Sequence, residues 1–431
     1  MKSFTPELEP INFEEFLSFL SPLEEFKEFV ETLRNIARKR GEFLYFVGGV
    51  VRDYLLFKTQ GSVTLPQGQK DIDIVLEGDL EAFLEEVLKQ IKGKVLFKSQ
   101  FLTFKVKFSL RDHELIVDFI TARKETYPDV AVLPIVSPGS FIEDILRRDF
   151  TINTLALGLT PPYEEVIVDL IKAKKDLKQG IIKPLHLKSF VDDPTRIFRG
   201  TRYATRLNFR FAEEFYQALE EALKAESLKK LTPTRIYNEL ELFVKKEPMN
   251  ILSELFITTC ELGVFKELGF NLSKEKVKHG VELFIKVKEN IKAKFWTKAL
   301  LLFFVKEGEV KSLERLNFHK KEIDKVIKAL NRLKELNTEE EVFDLLENTE
   351  NWILFGLISK VKNKGKFIEE YLLTCSSIKP EIDGNTLKSL GVKNGRLIGK
   401  ILKLIKLKKF KKELKDKKEE LEWVKNYVSQ L

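Results

Sequence analysis

The spacing of apolar residues changes along the chain and separates a mixed part from a helical part. Residues 41–160 combine short runs rich in aromatic and β-branched residues with amphipathic helical stretches. One helix is predicted from Asp79 to Lys92, and strands are predicted around 95–109 and 114–120. From Pro194 onward the pattern is almost wholly helical. The chain is therefore predicted to be α+β, with a mixed or antiparallel sheet and helices first and an all-α part after it.

Three further stretches have a local character of their own. Residues 7–40 show helical spacing of apolar positions, and the run from Phe150 to Leu157 is strand-like. The stretch from Thr126 to Ser140 contains proline and glycine and is predicted to be a long loop. Loops of this length in compact domains are usually functional or mobile.

Two glycines and two aspartates stand close together in the mixed part. A predicted strand runs into Gly48 and Gly49, and a helical pattern opens at Val50. Backbone N–H groups at such a turn can approach phosphate oxygens closely. Asp71 and Asp73 lie on the next predicted strand, where alternation places both carboxylates on one face with Cα atoms about 6.6 Å apart. This spacing suits two cations about 3.5–4 Å apart, the arrangement used for in-line phosphoryl or nucleotidyl transfer.

Each half of this pattern also has a structural interpretation. A glycine pair after a strand is usually an ordinary turn, and an isolated Asp-x-Asp is usually a solvated strand face. The order of the two halves, the short gap and the strand context favour a site. The pattern is not a Walker A loop, because no Gly-Lys-Ser/Thr follows it.

Three downstream motifs extend the pattern. They are Asp118-Phe119-Ile120-Thr121-Ala122-Arg123-Lys124-Glu125, Arg147-Arg148-Asp149-Phe150-Thr151-Ile152-Asn153-Thr154 and Asp192-Asp193-Pro194-Thr195-Arg196. With the glycine turn and the aspartate pair, they resemble the DNA polymerase β-type nucleotidyltransferase superfamily. Within it, the chain resembles the class II tRNA nucleotidyltransferase and bacterial poly(A) polymerase family. The resemblance is strong over residues 41–210 and only topological beyond about residue 250.

The resemblance implies a role for each motif. Asp71 and Asp73 would hold two Mg²⁺ ions, with Mn²⁺ as an alternative, and Asp118 would be a third catalytic carboxylate or an architectural one. Binding of the nucleotide would involve three groups: the turn residues Gly48, Gly49, Arg52 and Asp53; the triphosphate and ribose contacts Arg147, Arg148 and Asp149; and the base-reading residues Asp193 and Arg196 with Arg199 and Arg202 nearby. A carboxylate accepts from the amino group of adenine or cytosine, and a guanidinium donates to the neighbouring ring acceptor.

Purely structural roles stay open for the triphosphate and ribose contacts and for the base-reading residues. Arg147 to Asp149 could form a structural ion-pair cluster. The arginines after Asp193 recur at spacings of three, three and four and could line a solvated helical face, with Asp193 as an ordinary N-cap and Pro194 at the first helical position.

The resemblance also suggests a division into five segments. It consists of an N-terminal helical segment (1–40), a nucleotidyltransferase head (41–160), a base-recognising neck (161–250), a helical body (251–340) and a basic tRNA-binding tail (341–431). The loop from Thr126 to Ser140 would shape the nucleotide pocket.

Composition indicates a globular chain whose positive charge favours a polyanionic partner. The 431 residues carry a net charge of +8, and residues 401–431 hold ten Lys against five Asp plus Glu. The run from Ile401 to Lys412 is predicted to be a basic amphipathic helix. With the polymerase head that the resemblance implies, an RNA contact is favoured over a membrane surface, and a solvated helix with a packed apolar face stays an equal alternative. No signal peptide or long apolar run occurs, so we expect a cytoplasmic protein that binds no membrane. The resemblance implies tRNA, CTP and ATP as its partners.

Two departures from the family pattern bear on the subtype. The family's hinge carries two glycines, whereas this chain has Lys172 and Ala173 there, and the first template position is Asp192 instead of Glu. If switching from C to A requires flexing at the hinge, this chain switches poorly. We therefore favour a CC-adding enzyme that leaves the terminal A to a complementary A-adding enzyme. Full CCA addition, A addition, poly(A) synthesis, transfer to another acceptor and an inactive RNA-binding relative are the alternatives.

Overall fold

The computed structural model describes residues 5–63, 72–374 and 377–430. Its contacts divide the chain into two compact units, residues 1–259 and residues 260–431. The predicted division into five segments is finer than this and stays a prediction. Asp71 of the predicted metal pair lies outside the described residues.

The first unit is built on an eight-stranded sheet. Its strands are β1 (Glu7–Pro10), β2 (Phe43–Val47), β3 (Ile72–Glu77), β4 (Gly93–Lys98), β5 (Thr103–Leu110), β6 (His113–Thr121), β9 (Ala156–Gly158) and β10 (Val166–Asp169). They are ordered β1-β10-β9-β2-β3-β6-β5-β4. Only β3 and β6 run parallel, so the sheet is mixed and the predicted fold class is confirmed.

Two pairs of short strands accompany this sheet. Antiparallel β7 (Arg123–Thr126) and β8 (Ile135–Pro138) form one pair, and parallel β11 (Ile181–Ile182) and β12 (Arg210–Phe211) form the other. The predicted loop from Thr126 to Ser140 is therefore partly a hairpin arm, because Ile135 to Pro138 pair with the strand before the turn.

Helices fill the rest of the chain up to residue 261. They are α1 (Phe13–Leu20), α2 (Glu24–Arg40), α3 (Gly49–Gln60), α4 (Leu80–Gln90), α5 (Phe141–Leu146), α6 (Ala173–Gln179), α7 (Ser189–Asp192), α8 (Thr195–Leu207), α9 (Glu213–Lys224), α10 (Ser227–Lys230), α11 (Pro233–Lys246) and α12 (Leu252–Glu261). The predicted helix from Asp79 is confirmed as α4, whose N-cap is Asp79 with its side chain accepting from the Ala82 N–H at 3.1 Å.

Aromatic side chains join the helices to one face of the sheet. Phe16 of α1 packs against Phe46 of β2, and Phe83 of α4 packs against Phe119 of β6. On the opposite face, Phe141 of α5 packs on Tyr45 of β2. Asp73 lies on this same face, two residues before the partner of Tyr45, and the candidate site is found there.

Two local predictions were wrong. Residues 7–10 form strand β1 instead of helix, because Glu7 to Pro10 pair with β10 at the sheet edge, a position that tolerates proline. The run from Phe150 to Leu157 is interrupted by a short 3-10 helix at Thr151–Asn153, since the Asp149 carboxylate binds the Phe150 N–H and the Asn153 amide. Strand β9 begins only at Ala156.

The second unit is helical throughout its described residues. Its helices are α13 (Val264–Glu267), α14 (Lys274–Val287), α15 (Trp296–Phe304), α16 (Lys320–Glu335), α17 (Glu339–Glu347), α18 (Asn351–Leu357), α19 (Lys362–Thr374), α20 (Gly384–Ser389), α21 (Gly395–Phe410) and α22 (Lys417–Ser429). None of the described helices is long and apolar enough to cross a membrane.

The predicted basic helix is present as α21. Ile401 and Ile405 are buried in a cluster with Val424 of α22. Its lysines are largely engaged within the unit: Lys406 lies 2.8 Å from Glu347, and Lys409 lies 2.7 Å from the fully buried Glu420. Much of the positive charge in this segment is thus balanced by nearby carboxylates.

Candidate active site

The glycine turn joins β2 to α3 in the way the sequence predicts. Gly48 has φ +75° and ψ −125°, a conformation that side-chain-bearing residues rarely adopt, and α3 begins at Gly49. No side chain caps this helix start, so the first N–H groups of α3 are directed out of the helix toward the site. A Cβ on Gly48 would lie 3.4 Å from Nη1 of Arg148, which places that arginine beside the turn.

Two carboxylates stand next to each other on neighbouring strands. Asp73 of β3 and Asp118 of β6 are direct partners in the parallel ladder, so their side chains share one face. The Lys105 ammonium lies 2.6 Å from Oδ2 of Asp118. Asp118 Oδ1 is buried and has no hydrogen-bond partner among the described residues.

These carboxylates suit a divalent cation with oxygen ligands. A buried carboxylate oxygen without a donor costs free energy, and an Mg²⁺ ion beside Asp73 would satisfy it. Within residues 5–63, 72–374 and 377–430, no group of three or more carboxylate, histidine or cysteine side chains forms a complete metal site. Asp71, which the sequence pairs with Asp73 as a metal ligand, lies outside the described residues.

Tyr203 of α8 gathers three arginines around its ring. The guanidinium carbons of Arg52, Arg199 and Arg206 lie 5.1, 5.7 and 5.5 Å from the ring centre. Arg52 also donates to Asp53 at 2.7 Å and to the Asn153 side chain at 2.6 Å. Positive charge is thereby concentrated next to the glycine turn, as a polyphosphate would require.

Arg147 and Arg148 take part in an ion-pair cluster. The fully buried Asp144 accepts from Arg147 at 2.9 Å and from Arg148 at 2.8 Å, and Glu125 accepts from Arg147 at 3.1 Å. Although burial raises the pKa of Asp144, the two guanidinium groups outweigh it and the net shift is downward. The structural alternative named from the sequence is therefore realised, and it leaves Arg148 directed at Gly48.

Asp149 is linked to helix α8 by a buried ion pair. Its Oδ2 accepts from Nε of Arg199 at 2.8 Å. Burial alone would raise the pKa of Asp149. Arg199 and the Asn153 amide stabilise the ionised carboxylate by a larger amount, and the pKa falls from the ordinary 3.8 to about 2. Asp149 is thus an ionised, buried link between the 3-10 turn and α8.

The predicted base-reading pair is engaged by protein groups. Asp193 Oδ1 accepts from Arg235 of α11 at 2.7 Å and from the Thr195 hydroxyl at 2.6 Å. Arg196 is buried; its Nη1 donates to Ser189 at 2.8 Å, and its Nη2 donates to the Tyr127 hydroxyl at 3.1 Å and the Arg147 carbonyl at 2.9 Å. Helix α8 begins at Thr195, one residue later than predicted, with Asp193 accepting from the Thr195 N–H.

The arginines of α8 do not form a solvated face. Arg202 donates to Glu247 at 2.8 Å and Arg206 donates to it at 2.9 Å, and Glu247 is fully buried. The alternative of an exposed basic helix is therefore wrong. No local sequence signal marks Glu247, because it lies 41 and 45 residues from its two partners.

A cleft of about 470 Å³ brings many of the predicted residues together. Its lining includes predicted residues from four elements: Gly49, Arg52, Asp53, Asp73, Asp118, Arg199 and Arg202. Gly48, Arg147, Arg148, Asp149, Asp193 and Arg196 lie outside its lining and are connected to it by the contacts described above. The cleft adds Lys105, Tyr203, Arg206 and Lys246, which are absent from the predicted set. Strand alternation from Asp118 across a hairpin would have identified Lys105.

The chain is similar to known proteins of one family. A model of the poly A polymerase head domain matches residues 44–183. An A-adding tRNA nucleotidyltransferase of Halalkalibacterium halodurans is 30% identical over 387 residues, covering 87% of this chain and 86% of that protein. A CC-adding tRNA nucleotidyltransferase of Deinococcus radiodurans is 31% identical over 214 residues, covering 49% of this chain and 53% of that protein.

A solved structure is similar over nearly the whole length. The Thermotoga maritima CCA-adding enzyme complexed with tRNA has a TM-score of 0.72 and 27% identity, with 98% of this chain and 99% of that chain covered. The similarity thus extends through the helical part, where the sequence resemblance was only topological. The chain belongs to the class II tRNA nucleotidyltransferase family and is a metal-dependent enzyme that transfers nucleotides to the 3′ end of tRNA.

Proposed function

We propose that this enzyme adds the terminal A to tRNAs that already end in CC. The observation that carries the proposal is the state of Arg196. Both bidentate forks of a guanidinium include Nη2, and the two hydrogens of that nitrogen are directed at Tyr127 and Arg147. Arg196 is left with single donors and no complete fork.

The two bases make different demands on such an arginine. Cytosine presents its amino group beside two acceptors, N3 and O2, and a fork fits that pair. Adenine presents its amino group beside one acceptor, N1, so a single donor suffices. The second oxygen of Asp193 would take the amino group in either case. The arrangement favours adenine.

The hinge supports a single specificity. Lys172 has φ +64°, a left-handed conformation that glycine adopts more readily, and buried Asp169 accepts from the Ala173 and Lys174 N–H groups at 2.8 and 2.9 Å. A turn held in this way favours one arrangement of the pocket. Relatives of each specificity match the chain: an A-adding relative aligns with 87% of it, a CC-adding relative with 49% and a CCA-adding structure with 98%. CC addition, preferred from the sequence, is the main alternative.

The remaining roles follow from the cleft. Asp73, Asp118 and Asp71 would hold Mg²⁺, as two ions in the two-metal arrangement, which would activate the primer 3′-hydroxyl and stabilise the transferring phosphate. Gly48, Gly49 and Arg52 would orient the triphosphate, with Arg148 beside the turn. We expect tRNA, ATP and a separate CC-adding enzyme as the partners in the cytoplasm.

The decisive experiment uses three transcripts of one tRNA, ending at the discriminator base, at C and at CC. Each is incubated with Mg²⁺ and CTP, ATP or both, and products are separated at single-nucleotide length. One A on the CC-ended transcript and no C on the other two supports the proposal. Two C additions followed by arrest would establish CC addition instead, and long A tails would indicate a poly(A) polymerase.

The Arg196 argument has its own test. Tyr127→Phe removes one acceptor from Nη2 and restores a fork, so the ratio of kcat/KM for CTP to that for ATP should rise about tenfold, the worth of one charged hydrogen bond of about 1.4 kcal/mol. Tyr216→Phe, on the exposed side of α9, is the matched control and should leave the ratio unchanged. Equal ratios in all three proteins would remove the argument for adenine.

An inactive RNA-binding relative is separated by Asp73→Ala. The variant should lose incorporation and keep its affinity for tRNA, because Asp73 carries none of the positive charge that attracts RNA. Incorporation at the wild-type rate would exclude the proposed metal role of Asp73.

A further inference from the structure

A row of four side chains crosses the open face of the sheet. Asp73 pairs with Asp118, Asp118 pairs with Lys105, and Lys105 pairs with Phe97, across β3, β6, β5 and β4. The register of β4 shifts between Val95 and Phe97, so Phe97 instead of Leu96 stands opposite Lys105. Directly paired residues point to the same side of a sheet. At about 4.8 Å per strand, Phe97 lies roughly 14 Å from Asp73. The row runs from the proposed metal site to the edge of the molecule's first unit.

Phe97 is an unusual residue for such an edge. Its side chain is 59% exposed, on the outermost strand of the sheet. Edge strands usually carry charge or proline in place of an exposed aromatic ring. The flanking residue Lys98 lies on the other face, over the Phe104 ring at 5.0 Å. On the face of Phe97, the next ladder pair consists of two cations, Lys94 and Lys107.

Lys105 connects the edge to the carboxylates. Its ammonium lies 2.6 Å from Oδ2 of Asp118, and its side chain is 41% exposed along the cleft. Its positive charge partly neutralises the negative charge of Asp118 and of the neighbouring Asp73. A divalent cation bound between Asp73 and Asp118 would take over that neutralisation, and the lysine would then be available to a phosphate.

We propose that this row is the track along which the unpaired 3′ end of the tRNA approaches the carboxylates. Lys105 binds a backbone phosphate near the primer terminus, and Phe97 stacks on a base further back. Roughly 14 Å corresponds to about four stacked nucleotides at about 3.4 Å each, and to fewer in an extended strand. An aromatic platform beside cations is the usual means of holding single-stranded RNA without reading its sequence. The proposal rests on the proposed metal role of Asp73 and Asp118 and is independent of which nucleotide is added.

Stacking is tested at Phe97 with the full-length enzyme and a CC-ended tRNA carrying 2-aminopurine at the discriminator position. Phe97→Ala and Phe97→Leu should each raise the tRNA Kd and KM about tenfold, since a stacked base contributes about 1–3 kcal/mol, while Phe97→Trp should retain wild-type affinity. The KM for ATP and the kcat at saturating tRNA should stay within about twofold. Fluorescence of 2-aminopurine should be quenched by wild type and Phe97→Trp and not by Phe97→Ala.

Val95→Ala is the matched control. Val95 is 41% exposed on the same strand but pairs with buried Val106 on the other face, so tRNA affinity should not change. A tRNA Kd for Phe97→Ala within twofold of wild type would overturn the proposal. So would wild-type affinity in Phe97→Leu, because an aliphatic side chain cannot stack. Sedimentation that shows Phe97→Ala converting a dimer to a monomer, with unchanged tRNA binding, would assign the edge to self-association instead.

Lys105 is tested through the salt dependence of binding. In Mg²⁺, Lys105→Met should reduce the slope of log affinity against log salt by about one, and Lys105→Arg should restore it. An unchanged slope in Lys105→Met would remove the phosphate contact. Affinity for tRNA, its salt dependence and 2-aminopurine fluorescence test the proposed path of the tRNA 3′ end. The nucleotide added to each transcript tests the proposed function, so one proposal can be contradicted while the other holds.

Discussion

Single residues of this site are constrained by backbone geometry and by buried charge. Gly48 has a backbone conformation that disfavours a Cβ, and Asp149 holds a negative charge away from water between a 3-10 turn and a helix. Both residues were selected from the sequence by motif, yet their physical roles depend on distant neighbours. Arg148 lies 100 residues after Gly48, and Arg199 lies 50 residues after Asp149. Each constraint gives a prediction.

Gly48→Ala should lower the free energy of unfolding by about 1–3 kcal/mol, because φ +75° with ψ −125° strains any residue with a Cβ. Activity should fall as well, since the turn would shift against Arg148. Gly49→Ala is the control: a Cβ there would make an ordinary 3.6 Å contact with Arg52, so stability should change little. Urea unfolding of the three proteins measures the difference, and equal loss in both variants would contradict the argument.

Asp149→Asn should destabilise the protein by about 2 kcal/mol at neutral pH, because it removes the charge that Arg199 stabilises. The pKa of about 2 lies below the ordinary 3.8, so this stability is present above pH 3.8 and is lost as the pH falls toward 2. The difference in free energy of unfolding between wild type and variant should therefore fall at pH 3 to about half of its value at pH 7. Unfolding at pH 7 and pH 3 measures it, with the exposed Asp112→Asn as control; a constant gap would contradict a charge effect.

At the level of elements, a turn can form even where its residues do not favour the required backbone conformation. The turn after β10 is an example, because Lys172 and Ala173 replace the glycines typical of the family and the turn still forms. Buried Asp169 supports it with hydrogen bonds to three backbone N–H groups, those of Ile171, Ala173 and Lys174. The strain remains local to Lys172.

Lys172→Gly should raise the free energy of unfolding by about 1 kcal/mol, since it relieves a left-handed conformation of a residue with a side chain. Lys175→Gly, inside α6, should lower it by a similar amount because glycine weakens a helix. Thermal or urea unfolding distinguishes the two. A loss of stability in Lys172→Gly would show that its side chain, and not its backbone, matters there.

Part of the positive charge of the whole molecule is paired with carboxylates and adds little to the attraction of RNA. The net charge is +8, yet lysines of α21 lie beside carboxylates of α17 and α22 in the second unit. A lysine whose charge is balanced by a carboxylate adds little to the attraction of RNA. Net charge alone therefore overstates the tRNA-binding capacity predicted for residues 341–431.

The double variant Lys406→Gln/Glu347→Gln should leave the salt dependence of tRNA affinity unchanged, because it removes one charge of each sign from a pair 2.8 Å apart. Lys406→Gln alone should weaken binding slightly, since it exposes a carboxylate. Affinity measured at several salt concentrations tests both. A slope reduced by about one in the double variant would show that Lys406 contacts a phosphate directly.

Local patterns in the sequence were sufficient for the fold class and for the turn at Gly48, whereas the roles of the site residues stay predictions. Strand alternation predicted the strand that carries Asp73, and the glycine pair located the turn into α3, because both depend on backbone geometry within a few residues. Asp118 came from the family motif, and its pairing with Asp73 across β3 and β6 is seen only in the structure. The same local reasoning failed at residues 7–10 and at Thr151–Asn153. There, pairing with β10 and side-chain contacts of Asp149 outweighed local preference.

Sequence alone determined the family, the order of its motifs and the residue types of the chemistry. Tertiary structure alone decided how those residues are engaged: that Arg196 has its Nη2 committed to Tyr127 and Arg147, that Glu247 gathers two arginines of α8, and that Lys105 and Phe97 continue the row from Asp118. The physical reason is the range of the interactions. Propensity and periodicity act over a few residues, whereas buried charges and cross-strand pairs join positions brought together only when the chain has folded.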